Sequence, residues 1–224
     1  MLARRSRFLG TLNITLDEEF MLAPSFDKPL NLPQLESTRL SVDRLVICPP
    51  EDCHIGPLFA AVEESLAEIR PWLAWYYPGY SWDDTALWIN NVPVAWREDR
   101  EYSFVILDRE DGQLLGTIGI NQLDRRNRRA NLGYFVRTSA TNRGIATAAT
   151  KLVARFGFEQ VGLKRIEIVA AVGNVASQKV AHKIGATREG IARRRSNVGG
   201  EQLDTVMFSL VAEELERWMQ RVGG

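Results

Sequence analysis

The order of local patterns in this chain predicts a mixed α/β protein of the α+β kind, with helices flanking a sheet built largely of antiparallel strands. Three observations carry that reading. The middle of the chain is a meander: "YSFVIL" (Tyr102 to Leu107), the turn "DREDG", "QLLGTIGINQL", the polar turn "DRRNRRA" and "NLGYFV". Directly after it, Ile145, Ala148, Ala149, Leu152, Val153 and Phe156 recur at helical spacing, a strong amphipathic signal. Strand and helix patterns then alternate: "RIEIVAAV", the helix "NVASQKVAHKIG", strands around "EGIARR" and "DTVMFSL", and a C-terminal helix "VAEELERWMQRV".

The elements before the meander follow the same logic. Residues 1–36 carry Pro24, Pro29 and Pro33 without a sustained period and read as an extension or arm, leaving 37–224 as the folded domain. "STRLSVDRLVIC" alternates apolar residues as one strand or two short ones. "PLFAAVEESLAEIRPWLAW" is helical, with Leu58, Val62, Leu66 and Ile69 on one face and Pro71 near its end. An unusually aromatic stretch follows, holding Trp72, Trp75, Tyr76, Tyr77, Tyr80 and Trp82. A second helix near "DDTALWINNV" is expected to be capped by Asp83 or Asp84.

Composition narrows the function classes. The 224 residues are 45% apolar and 25% charged, which marks a soluble globular chain. Its 28 basic and 28 acidic residues cancel, so no global field draws it to nucleic acid or an anionic membrane, and direct nucleic-acid binding is not expected. No apolar run approaches the roughly 20 residues that span a bilayer, and the N-terminus breaks its apolar stretch too early for a signal-peptide core. A cytoplasmic protein is expected. Cys48, Cys53 and His54 lie close together, but His182 is the only other histidine, so no metal is expected and the thiols are read as reduced and partly buried. The runs Arg125 to Arg129 and Arg193 to Arg195 read as solvated turns.

The stretch "VRTSATNRGIATAA" asks for bare backbone at the start of a helix. Such a terminus leaves about four N–H groups without intrahelical acceptors and carries a partial positive charge, so it suits an anion. Gly144 and Ala146 keep side chains out of the approach, Ser139 and Thr141 offer hydroxyls, and Arg143 adds a cation; pyrophosphate fits. An ordinary capped helix with a glycine near its start satisfies the same pattern. The antiparallel meander before the loop disfavours a Rossmann dinucleotide site, and the P-loop pattern is absent.

At these residues the chain resembles the GNAT superfamily of N-acetyltransferases, whose signature is [QR]-x-x-G-x-[GA]. The window here is Thr141-Asn142-Arg143-Gly144-Ile145-Ala146, with Thr141 departing from the leading Gln or Arg. The pairing of "LGYFVRTSATNRGIATAA" with "NVASQKVAHKIGATREG" is similar to the ribosomal-protein N-terminal acetyltransferase branch (the RimJ/RimL type), and Asn174, Ser177, Val180, Ala181, Lys183 and Gly185 match its helix pattern. The resemblance covers about residues 35–217.

It implies a central mixed, mostly antiparallel sheet splayed between its fourth and fifth strands, into which the pantetheine arm of acetyl-CoA inserts. Backbone groups of Phe135 and Val136 would then bind the pantetheine amides, Asn142, Arg143, Gly144, Ile145 and Ala146 the pyrophosphate, and Asn174 the cofactor arm. Many members protonate the leaving thiolate with a tyrosine at the position held here by Ala181; the branch uses its helix serine, Ser177. Asn174 and Ser177 also suit plain first-turn capping. Glu101 is a candidate general base; Glu189, Asp204 and His182 are weaker ones, water-relayed deprotonation is an alternative, and Asn131 stands where many relatives carry a carboxylate. Trp72, Trp75, Tyr76 and Tyr80 are expected to wall the acceptor cleft, or to pack as core.

An α-amine, with pKa about 8, needs less deprotonation than a lysine near 10.4. The leading expectation is therefore acetyl transfer to the N-terminal α-amine of a protein, plausibly a ribosomal one. A small-molecule amine acceptor and a non-catalytic acyl-CoA-binding module are the alternatives, and a homodimer is common in the family.

Overall fold

The structure, a computed structural model, describes residues 33–215. The expected arm therefore lies outside the described residues except for 33–36, and so does the C-terminal helix beyond its helical start at 212–215.

The opening apolar stretch forms two short strands, β1 (Leu40–Val42) and β2 (Leu45–Cys48), and the meander forms β3 (Tyr102–Asp108), β4 (Leu114–Asp124) and β5 (Arg129–Val136). Then come β6 (Arg165–Ala171) and a long hairpin, β7 (Thr187–Val198) and β8 (Glu201–Leu210). They make one open eight-stranded sheet in the order β1-β2-β3-β4-β5-β6-β8-β7. Every described pairing is antiparallel except β5 with β6. A parallel neighbour needs a crossover, and helix α3 (Ile145–Glu159) supplies it.

That parallel pairing is short. It joins Arg129 to Arg165, Ala130 to Ile166 and Asn131 to Glu167, and there it stops, while the other edge of β5 stays paired to β4 as far as Val136. The two strands are held at their N-terminal ends, where Arg129 and Arg165 both reach Glu167, and diverge beyond. With β1 and β2 counted as one interrupted strand, this opening is the splay between the fourth and fifth strands.

Alternation along the strands sends side chains to two cores. Tyr102, Phe104 and Ile106 pack with Val153 and Phe156 of α3 on one face; Val105 and Phe135 pack with Leu58, Ala61 and Val62 of α1 (Ile55–Ile69) on the other. Helix α1 ends at Ile69 with Arg70, still helical in backbone geometry, as its C-cap; Pro71 has no N–H to continue the ladder, and the expected extension to Trp75 is a run of turns instead. Helix α2 spans Trp82–Arg97, and its cap is Ser81 rather than Asp83 or Asp84. The Ser81 hydroxyl accepts from the Asp84 N–H while the Asp84 carboxylate accepts from the Ser81 N–H, a reciprocal box that needs the acid three residues inside the helix. The short α4 (Val175–Lys183) contacts β6 and α3.

The first arginine run differs in part from the solvated reading. Arg126 and Arg128 are exposed as expected, but Arg125 pairs with Asp99 and donates to the Val161 carbonyl and Arg128 donates to the Gly162 carbonyl, so the β4–β5 turn is tied to the loop after α3, while Arg129 pairs with Asp124 within the turn. Arg193, Arg194 and Arg195 are exposed on the β7–β8 hairpin. Cys48 is buried and Cys53 exposed, both as free thiols.

Candidate active site

On the α1 and α2 side of the sheet, a cleft of about 510 Å³ runs along β3, β4 and β5 to the strand opening. Its walls are Leu58 and Val62 of α1, Leu73, Trp75, Tyr77 and Tyr80 of the connecting loop, and Trp88 of α2; Glu101, Ser103, Asn121 and Gly133, Tyr134 and Phe135 of β5 form the floor. The lining includes two carboxylates, Asp84 and Glu101, and no Lys or Arg. The Tyr77 hydroxyl donates to Asp84 at 2.7 Å, and with the Ser81 contacts this bond holds the Asp84 carboxyl below the usual range. Tyr80 shares a hydrogen bond with Thr85 at 2.9 Å. The Ser103 hydroxyl donates to Glu101. At the end of the floor, the Asn131 amide donates to Asn121 at 2.9 Å.

Of the aromatic residues expected at the cleft, Trp75 and Tyr80 line it. Trp72 instead lies against Gly173 in the loop before α4, close enough that a Cβ there would come within about 3 Å of its ring, and Tyr76 packs tilted against Tyr80 with ring centres 6.0 Å apart. Glu101 sits in the floor, whereas Glu189 is paired to Arg165 at 2.6 Å and Asp204 accepts from the Arg194 N–H in the hairpin. His182 is exposed and meets the Phe208 ring edge-on.

After β5 the chain passes along the end of α1 at residues 137–139 and then crosses to the other face of the sheet, where it turns into α3. Gly144 is the residue before the helix, with φ +79°, and Asn142 also has positive φ (+60°). That left-handed backbone is why glycine stands there. No atom lies within 4 Å of where a Gly144 Cβ would be, so the loop surface is open. The loop is braced from α1: Glu64 accepts from the Arg137 guanidinium and from the Ser139 N–H at 2.7 Å, Ser65 from the Thr138 N–H at 2.9 Å, and Glu68 from the Thr138 hydroxyl. The Arg137 contact pushes the Glu64 carboxyl down to about 2. Thr141 is not a free donor, since its hydroxyl donates to the Thr138 carbonyl. Arg143 lies 3.7 Å from Asp108, which Arg44 also holds at 3.1 Å.

Asn174 caps α4, its side-chain oxygen accepting from the Ser177 N–H at 3.0 Å, so any contact it makes with a ligand falls to its NH2 group. Ser177 meets a residue that the sequence reading used only as a strand position. The Tyr134 hydroxyl lies 3.0 Å from Ser177 Oγ and 3.2 Å from the Ser177 carbonyl oxygen. Burial pushes the Tyr134 phenol up to about 12, against the opposing effect of Ser177. Period-two alternation in "NLGYFV" was the available signal: Tyr134 shares the α3 side with Leu132, and Phe135 takes the α1 side. Trp88, Ser103 and Asn121 carried no motif. Among the described residues no group of three or more His, Cys, Asp or Glu side chains is placed to hold a metal ion, and no helix is long and apolar enough to cross a membrane.

Residues 44–187 match the family model described as an acetyltransferase (GNAT) domain. The "Putative ribosomal N-acetyltransferase YdaF" of Bacillus subtilis (strain 168) is 41% identical over 106 residues, 47% of this chain; the match spans 58% of that relative's length. The ribosomal-protein-serine acetyltransferase of Escherichia coli (strain K12) is 22% identical over 71% of this chain and 88% of its own. Among solved structures, Mycobacterium smegmatis RimJ in complex with CoA-disulfide superposes with a TM-score of 0.73 at 24% identity, covering 83% of this chain and 93% of that one.

Proposed function

Because this chain belongs to the GNAT acetyltransferase family, we propose that it transfers the acetyl group of acetyl-CoA to the N-terminal α-amine of a protein, ribosomal proteins being the first class to test. The backbone fits the cosubstrate. Beyond Asn131, β5 has no described strand partner on its β6 side, so Phe135 and Val136 offer main-chain groups to the pantetheine amides as an added strand would. The turn from Asn142 to Ala146, with its positive-φ residues and first-turn N–H groups, receives the pyrophosphate, and the Asn174 amide contacts the arm.

The acceptor enters from the aromatic cleft. There Glu101 takes the proton that the amine loses on attacking the carbonyl carbon, with Ser103 fixing the carboxylate. Thiolate protonation falls to Ser177 on the other side of the opening.

One observation carries the choice of acceptor: the cleft holds two acids and no base among its lining residues. An ammonium group is attracted there, whereas the carboxylate of a free amino acid would sit beside Asp84 and Glu101 with no counterion. A peptide N-terminus brings the amine and leaves its carboxylate far behind. The same charge pattern admits a small amine without a carboxylate, which is the second reading. A turnover panel separates them: Ser- and Ala-starting peptides, the same peptides blocked at the α-amine, the free amino acids and simple diamines. Acetylation of the open peptides alone supports the proposal; acetylation of diamines or amino acids with the peptides inert overturns it.

A further inference from the structure

The opening between β5 and β6 is bridged by one described side-chain contact, from the Tyr134 hydroxyl on β5 to Ser177 in the first turn of α4. Tyr134 is three residues past Asn131, the last residue of β5 paired to β6, so the bridge stands near the apex of the opening. We propose that Tyr134 and Ser177 form a coupled hydroxyl pair that protonates the leaving thiolate, with Tyr134 as the proton source. This rests on the acetyltransferase reading above.

The chemistry explains why two hydroxyls serve better than one. An aliphatic hydroxyl is far too weak an acid to release its proton unaided, whereas a phenol, ordinarily near pKa 10, is much closer to a thiol, near 8.5. The Tyr134 proton has two acceptors within reach, the Ser177 carbonyl and its Oγ, and turning from the first to the second frees the Ser177 proton. As the amine nitrogen bonds to the carbonyl carbon, the C–S bond breaks and its electron pair stays on sulfur. The Ser177 proton passes to sulfur, the Tyr134 proton passes to Ser177 Oγ, and the phenolate regains a proton from water. The amine's surplus proton leaves separately, through Glu101. Burial that raises the phenol to about 12 keeps Tyr134 protonated at rest but widens its gap from the thiol, so its proton moves only in concert with the Ser177 transfer and the phenolate is short-lived. The tyrosine that many members carry on the fourth helix is thereby replaced by one from β5 that meets α4 at Ser177.

The test uses Tyr134→Phe, which keeps the ring and its packing, together with Ser177→Ala and the double variant. Coenzyme A itself is the first probe, because its bound thiol can be titrated by thiolate absorbance without any acceptor. A hydrogen-bond donor aimed at sulfur favours the thiolate, so the bound thiol should titrate about one unit lower in the unmodified protein than in Ser177→Ala, and by a smaller margin lower than in Tyr134→Phe, where Ser177 has lost the donor that strengthens it. With a Ser-starting peptide, each single variant should lose about 100-fold in kcat at unchanged acetyl-CoA affinity, and the double variant should lose little more. Equal thiol titration in the unmodified protein and Tyr134→Phe overturns the pair while leaving the acetyltransferase reading intact; losses that multiply in the double variant overturn the coupling. Absence of coenzyme A binding in the unmodified protein overturns both proposals.

Discussion

The turn into α3 and the aromatic cleft border the same opening in the sheet, and they are built in opposite ways. The turn is one continuous stretch of backbone, residues 137–146, whose shape depends on Gly144 at φ +79° and on braces from Glu64, Ser65 and Glu68. The cleft is a set of side chains from α1, the loop after it, α2, β3, β4 and β5. A site made of consecutive backbone must leave a local sequence pattern, because only certain residues tolerate the conformation. A site made of converging side chains leaves none until the fold brings them together. The first kind also suits a group common to every reaction of a family, and the second suits the partner that varies.

The comparison predicts separable defects, and the largest is in the cleft. Glu101→Gln should lower kcat with a Ser-starting peptide by about 100-fold, as removal of a general base does, while leaving coenzyme A affinity as it was. An unchanged rate would take Glu101 out of the proton path and leave water to carry it. The converse change is Gly144→Glu. Left-handed backbone costs a non-glycine residue about 1–2 kcal/mol, and the added negative charge faces the pyrophosphate, so coenzyme A should bind at least about tenfold more weakly by calorimetry. Since nothing lies within 4 Å of the new Cβ, the protein should still fold. Undiminished affinity would remove this turn from the site.

How much of this was legible follows the same division. The meander, α3 and α4 were readable because each is a local period, and the glycine turn was readable because Gly144 and Ala146 stand at fixed offsets; the parallel pairing of β5 with β6 joins Arg129 to Arg165, 36 residues apart, and came only with the resemblance. The cap of α2 was misjudged because Asp84 does contribute to it, but from inside the helix, with Ser81 as the capping residue. Trp72 and Tyr76 looked equivalent to Trp75 and Tyr80, since composition cannot tell which members of an aromatic loop face a cavity and which turn to Gly173 or pack against a neighbouring ring. Tyr134 was hidden by its context: on a strand valued for its backbone, only the long-range contact with Ser177, 43 residues away, gives its hydroxyl a role.

A smaller effect tests the aromatic wall. Trp75 is 45% exposed, so Trp75→Ala removes little core packing. It should raise the peptide KM several-fold with acetyl-CoA affinity and thermal midpoint nearly unchanged. A fall in stability with no change in KM would make Trp75 a packing residue instead.

The smallest effect joins the two regions. Helix α1 lends Leu58 and Val62 to the cleft and Glu64 to the turn, so Glu64 ties the cleft wall to the turn into α3. Its carboxyl is held at about 2 in the folded chain against an ordinary 4.5, chiefly by Arg137, and a depressed acid stabilises the fold only while it is ionised. That contribution is complete above pH 4.5 and disappears as the pH falls toward 2. Glu64→Gln should therefore melt slightly below the unmodified protein at pH 7, with the gap closing as both are acidified through that window. The pair is partly solvated, so salt should narrow the gap as well. The decisive reading is coenzyme A affinity at pH 7. If it drops in Glu64→Gln although no atom of Glu64 belongs to the turn itself, the geometry of residues 137–139 depends on α1, and the two regions are mechanically one. If affinity holds while the melting gap appears, the brace stabilises the fold alone and the two regions work independently.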